Sequence, residues 1–288
     1  MGSKDEAPLN LAPTNARIDR LRAIAADIQA ITDQMNFAAD NLRVVSQSYG
    51  EAIGEGNIPG HTKWKVTGYR TEVPAMESHL ALAGNGRFVW PTAAQTFWID
   101  STDADDDGAP VGNGARTWQF QGIKADGTVG TETITLDGVT RVVTAGTYWC
   151  PVIDGCKTLT AGTTGYNEGT IQCWDAAVAG NLMWAAPIRA NKACGSVYMV
   201  PSDRTAFLYR ISASESSNQG VTFRLYEKTP TDNVLVLREV WLARNSTILD
   251  QFPIPLVYPA GTRIEFTAEA NAATATCSMS FLGWEETL

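Results

Sequence analysis

From Val89 to the C-terminus the chain is a succession of short runs that alternate apolar and polar residues, each closed by a Gly-, Asp- or Pro-containing cluster. This period of two is the strongest constraint on the fold, because it turns every second side chain to the same face of a sheet. In the first series, "QTFWIDS", "RTWQFQGI", "TETITLDG", "RVVTAGTYW" and "GTIQCW", Trp118 and Phe120 oppose Thr117, Gln119 and Gln121, and Ile134 and Leu136 oppose Thr133 and Thr135. Asp126-Gly127 and Asp137-Gly138 supply turn dipeptides. A second series begins near residue 195: "SVYMV", "TAFLYRISAS", "GVTFRLYEKT", "VLVLREVWLA", "PIPLVYPAG", "TRIEFTAEA" and "ATCSMSFLGW". Here Val221, Phe223 and Leu225 alternate with Thr222 and Arg224. Ile264, Phe266 and Ala268 alternate with Arg263, Glu265, Thr267 and Glu269, which places Glu265 and Glu269 on a solvated outer face. Pro253, Pro255 and Pro259 confine "FPIPLVYPAGT" to an edge or connecting segment, since proline donates no ladder hydrogen bond. The pattern predicts two antiparallel β-sandwich domains of Greek-key or jelly-roll-like type, at 89–185 and 186–288.

The first third of the chain reads differently. Residues 1–14, with Pro8 and Pro13, form an extended arm, and 15–49 an amphipathic helix of roughly nine turns. Ile28, Met35 and Leu42 recur every seven residues, flanked by Ile24, Ile31, Ala38 and Val45 on one side and Leu21, Ala25, Thr32 and Ala39 on the other. Thr14 or Asn15 can cap its start. So broad a stripe needs cover, either from its own chain or from copies and partners. Ile24, Ile28, Ile31, Met35 and Leu42 are the candidate partner-binding residues. Residues 50–88 are Gly-rich and read as an irregular connector. The fold class is therefore mainly β, with an arm and one long helix in front.

The loop "DADDDG" at 103–108 begins as a calcium loop does, with Asp103, Asp105 and Asp107 two apart and Gly108 after them. The twelfth position is Gly114 instead of a bidentate Glu, and no helical pattern flanks the loop. Two readings stand: a solvent-facing turn, and a calcium or magnesium site completed by a carbonyl. No other cofactor is indicated. Five cysteines (Cys150, Cys156, Cys173, Cys194, Cys277) are scattered through apolar contexts and read as buried free thiols, with a Cys150–Cys156 bridge as the rival. Two histidines, His61 and His79, are too few for a structural zinc site, and His79 reads as a surface or interface residue.

Net charge is −9 with no basic run, which argues against nucleic acid. No stretch approaches the ~18 apolar residues of a membrane span or forms a secretory signal, so the chain is expected to be made in a cytoplasm. A nucleophile elbow and a phosphate loop are both missing. Trp149, Trp174 and Trp184 could stack on sugars or fill a core. The residues predict a protein that is not an enzyme.

The order Trp90–Ala94 (aromatic-Pro-Thr-Ala-Ala), Gly112–Thr117 (Gly-x-Gly-Ala-Arg-Thr), Asp126–Gly127, Glu132–Gly138 and Asn167–Ile171 resembles a group of virion structural proteins of tailed bacteriophages, many of them marine. "YMVPSDRTAFLYR" and "FPIPLVYPAGTRIEFTAEA" resemble its second half, so the likeness covers roughly residues 88–288. The resemblance implies a structural part of the virion: a capsid cement or decoration protein, or a vertex, collar or fibre component. Its expected partners are further copies of itself, as a homotrimer, and the major capsid protein or another virion protein. The alternatives are an adaptor or receptor- or glycan-binding component of the tail and, third, a polysaccharide depolymerase. The polar loop varies in that group and the Asp triplet departs from it. The helix at 15–49 lies outside the likeness.

Overall fold

The computed structural model describes residues 17–32, 52–53, 57–82, 86–216, 220–232, 234–272 and 274–288. The chain divides into two units, Met1–Asn57 and Ile58–Leu288. In the first, residues 17–32 form helix α1, and every one of them is exposed. The arm at 1–14 and the remainder of the expected helix, 33–49, lie outside the described residues.

The second unit is mainly β. Its first strands are β1 His61–Val73, β2 Ser78–His79 and β3 Ala81–Leu82. The first alternating series gives β4 Trp98–Ser101, β5 Ala115–Lys124, β6 Val129–Thr135, β7 Val142–Val143, β8 Tyr148–Pro151, β9 Lys157–Ala161, β10 Ile171–Trp174 and β11 Leu182–Ala186. The second gives β12 Val197–Met199, β13 Arg204–Glu215, β14 Val221–Lys228, β15 Val236–Ala243, β16 Ser246–Tyr258, β17 Arg263–Ala270 and β18 Ala275–Thr287. They assemble into four sheets. One runs β16-β13-β18-β1-β3 and a second β12-β17-β14-β15 with β2 on β17; a third runs β11-β10-β4-β7 and a fourth β6-β5-β8 with β9 on β5. Pairing is antiparallel apart from the short parallel contact of β1 with β3.

Two clusters of buried side chains hold these sheets. One gathers Phe97 just before β4, Ile99 of β4, Trp118 and Phe120 of β5, Ile171 of β10 and Trp184 of β11. Trp118 and Trp184 stack 5.3 Å apart. The other gathers Trp64 and Val66 of β1, Leu208 of β13, Phe223 of β14, Phe266 of β17 and Phe281 of β18, with Phe266 and Phe281 6.4 Å apart. Full burial of one such aromatic contributes about 1.5–3 kcal/mol.

The alternating runs become strands at the positions their period predicts. Trp118, Phe120, Val221, Phe223, Leu225, Ile264, Phe266 and Ala268 all point inward. The Asp126-Gly127 turn joins β5 to β6, with the Gly127 N–H donating to the Lys124 carbonyl at 2.9 Å. The proline-rich segment is strand β16, at a sheet edge. Its partner register jumps from Gln251, opposite Arg210, to Leu256, opposite Leu208, so Pro253 and Pro255 fall in a bulge where no ladder donor is needed.

Three expectations are corrected. The connector at 50–88 contains β1, which pairs along its length with β18 from His61–Glu286 to Val73–Ala275. Within β1, Gly68 lets Leu80 approach: a Cβ there would lie 2.8 Å from the Leu80 Cβ. Glu265 is not solvated but fully buried, because β2 pairs with β17 and Arg87 and the Phe88 N–H each reach it at 2.9 Å. Glu269 stays at the surface, paired with Arg224 at 2.7 Å. His79 is buried, not exposed, since β2 docks on β17 and packs its ring edge-on against Phe88.

Burial, assisted by the nearby charge of Arg70, holds the His79 pKa down at about 4 from an ordinary 6.5. One ring nitrogen, Nδ1, lies 3.1 Å from the Gly86 carbonyl. The unfolded chain therefore takes up this proton first. The contribution of neutral His79 is complete above pH ~6.5 and is lost as pH falls toward ~4, by about 3 kcal/mol in all. Urea denaturation at pH 7 and pH 4.5 should show wild type losing more stability than His79→Gln over that interval. Equal losses would exclude this residue as an acid-sensitive point.

Candidate interaction surface

The acidic loop is built around a residue that its spacing does not single out. Asp106 is fully buried. Its Oδ1 accepts from the backbone N–H groups of Ala115 at 2.7 Å and Glu168 at 2.9 Å. Its Oδ2 accepts from the Ser101 hydroxyl at 2.6 Å and the Gly169 N–H at 2.8 Å. A Cβ on Gly114 would collide with Oδ1, which explains glycine at that place in "GNGAR". Of the spaced triplet, Asp103 accepts from the Asp105 N–H at 2.9 Å and Asp107 from the Ala109 N–H at 2.7 Å, both as turn caps, while Asp105 is exposed. The three are not brought together, and no group of three or more His, Cys, Asp or Glu side chains poised for a metal occurs among the described residues.

The thiols offer little nucleophilicity. All five cysteines are free, so the Cys150–Cys156 bridge is not formed. Burial pushes the Cys156 and Cys277 thiols up to about 12 and raises those of Cys150 and Cys173 as well. His61 Nε2 lies 2.9 Å from Glu286 Oε1. Of the three tryptophans named for sugar stacking, Trp184 is core. Trp174 is half-buried, its Nε1 donating to Asp100 at 2.9 Å with Arg141 over its ring. Trp149 is half-buried and lines a cleft.

Apolar side chains left uncovered are the more informative feature. On α1, Ile24, Ile28 and Ile31 share one face at helical spacing and are all exposed, as are Ile18 and Leu21. Met35 and Leu42, the other candidates on that stripe, lie outside the described residues. A second such region was not foreseen from the sequence. Strands β15 and β16 follow one another, and each is the edge of its sheet. On β15, Trp241 and Ala243 turn to the core, whereas Val240 and Leu242 turn outward, Leu242 at 72% exposure. On β16, Ile248, Phe252 and Leu256 pack inward while Leu249, Ile254 and Val257 face out, Ile254 at 84%. Trp241 Nε1 donates to Asp250 at 3.0 Å and ties the two strands together. Val234, Val236 and Leu237 extend the exposed set at its start.

Scattered aliphatic residues on a surface are ordinary, but a run of them along two adjacent edge strands is what association surfaces present. The signal was present in "VLVLREVWLA", a nearly continuous apolar run of the kind covered on both faces. Here the chain itself covers only one. No protein-family model matches this sequence, and no curated protein matches it.

Proposed function

We propose that this chain is a non-enzymatic structural protein of a bacteriophage virion, a cement or decoration protein that binds the capsid shell as a homotrimer. The observation that carries this reading is the set of exposed aliphatic side chains on the consecutive edge strands β15 and β16, on the outer sides of two sheets, which suits contact with further copies of the chain. The exposed stripe Ile24, Ile28 and Ile31 of α1 supplies a separate attachment surface for the shell or a neighbouring subunit. The likeness of residues 88–288 to tailed-phage virion proteins supports the setting, and buried high-pKa thiols accord with a role without bond chemistry.

In the same reading the four sheets pair face to face as two Greek-key or jelly-roll-like sandwiches. Each buried cluster draws on two sheets, and the Trp118–Trp184 and Phe266–Phe281 contacts bridge them. Four sheets of four or five strands are also the size of propeller blades. Blades are built from consecutive strands, however, and β1 here joins β13, β16 and β18.

Counting this chain against the major shell protein in purified particles, by quantitative mass spectrometry, tests the assignment. Hundreds of copies are expected for shell decoration. A count of about a dozen or fewer, the number set by a ring at one vertex, would move the protein to the collar or tail and to an adaptor or receptor-binding role.

A further inference from the structure

We propose that the outer edge of β1 at Thr62–Val66 is a strand-addition site for an extended acidic segment of a partner protein. The proposal goes beyond the virion reading and does not rest on it.

Five consecutive residues of β1, Thr62 to Val66, line a cleft of about 300 Å³. Side chains of a strand alternate between its faces, so five in succession meet one cleft where that cleft follows the strand's edge. One side of β1 is taken by β18, from His61–Glu286 onward. On the other side the short contact with β3 begins only at Tyr69. The Thr67 carbonyl points to that other side, accepting from the Gly195 N–H at 2.9 Å. In a strand the N–H and C=O of one residue share a side, and the next residue reverses it. Lys65 and Lys63, two and four residues before Thr67, therefore turn both backbone groups away from β18 and into the cleft. No backbone partner for those groups occurs among the described residues. Across the cleft stand Gln121 of β5, Val129 of β6 and, beside the 3-10 turn Ile153–Gly155, Val152. A second cleft of about 200 Å³ continues past Lys65 and Thr67. A bare strand edge inside a cleft is what an extended peptide completes by main-chain pairing.

Charge selects the occupant. Lys63 and Lys65 are exposed and make no ion pair among the described residues. The other charges of the lining are already matched, Arg204 by Glu285 and Asp154 by Lys192. Edge lysines repel the same edge of a second copy, which closes this one to self-pairing. Acidic residues at alternate positions of an added strand lie opposite the lysines, where unlike charges attract. Val129 and Val152 favour apolar residues between the acids. The chain's net charge of −9 disfavours a long polyanion, so the partner's acidity has to be local.

The experiment titrates the full-length protein, by calorimetry, with the acetylated and amidated hexapeptide Thr-Glu-Val-Glu-Val-Thr. Its counterpart Thr-Lys-Val-Lys-Val-Thr tests charge, and the acidic peptide N-methylated at every internal residue tests main-chain pairing. Saturable binding of the acidic peptide is expected, with at least ~10-fold weaker binding of the other two. Lys63→Glu combined with Lys65→Glu should weaken the acidic peptide at least ~10-fold and strengthen the lysine peptide. Both side chains are exposed, so the variant should fold, and near-UV circular dichroism checks that it does. Hydrogen exchange read by fragmentation mass spectrometry locates the site: the Lys63 and Lys65 amides should exchange fast in the free protein and at least ~10-fold more slowly in the complex. Absence of saturable acidic-peptide binding, equal binding of either control peptide, or wild-type affinity in the folded variant would each overturn the proposal. Slow exchange of both amides in the free protein would do the same, since the edge would then be covered already, as by another copy. None of these outcomes alters the particle copy number, so the two readings fail separately.

Discussion

Replacing Asp106 with alanine will destabilise the folded chain by on the order of 4 kcal/mol, at the upper end for a single substitution. The carboxylate is fully buried and takes four hydrogen bonds from three places: Ser101 in β4, Ala115 at the start of β5, and Glu168 and Gly169 just before β10. Alanine leaves three backbone N–H groups and one hydroxyl without their acceptor in a buried site. Each orphaned buried donor costs about 1–3 kcal/mol, partly relieved by local rearrangement. Asp106→Asn keeps one acceptor oxygen and turns an amide NH2 toward the donors on the other side, so about half the effect is expected, roughly 2 kcal/mol. Asp105→Ala, at an exposed position in the same loop, should change stability by no more than about 0.5 kcal/mol. Urea denaturation of the three variants beside wild type reads the series directly. If Asp106→Ala proves no worse than Asp105→Ala, the brace described above is absent.

That contrast also shows what the amino-acid order could and could not convey. The calcium-like spacing drew attention to Asp103, Asp105 and Asp107, because sequence templates read intervals. The residue that matters is the one whose neighbours come from 62 and 63 positions away, Asp106 with Glu168 and Gly169. Local period did place what local period governs: Phe120 and Phe223 inward, the prolines of β16 at an edge. It failed where cover arrives from distant chain. Strand β1 alternates Trp64 and Val66 with Lys63 and Lys65, yet its glycine-rich approach and a partner more than 200 residues away hid it. Glu265 alternates like a solvated residue and is buried only because Arg87 and Phe88 are folded over it. The cleft beside β1 sets Thr62–Val66 against Gln121, Val129 and Val152, and no interval in the sequence joins them.

In the proposed assembly, substituting aspartate for both Leu242 and Ile254 is expected to separate the copies without unfolding them. Both side chains are largely exposed in the single chain, so the protomer loses no core contact and its stability should shift by about 0.5 kcal/mol or less per site. At a contact between copies each would lose roughly 1.5–3 kcal/mol of apolar burial and gain an unpaired charge. The two together weaken association by ~100-fold or more. Sedimentation velocity at micromolar protein should then show wild type assembled and the double variant monomeric, with Thr133→Asp, on the exposed side of β6, unchanged from wild type. A monomeric wild type, or an assembled double variant, would remove β15 and β16 from the interface. The geometry of β16 also argues for a closed assembly over a filament. A flat bare edge invites strand after strand, but Pro253 and Pro255 sit in the bulge between Gln251 and Leu256 and offer no N–H to a new ladder. In the proposed assembly copies would meet through side chains on the outer faces, and a fixed rotation between them that closes gives a ring of few subunits.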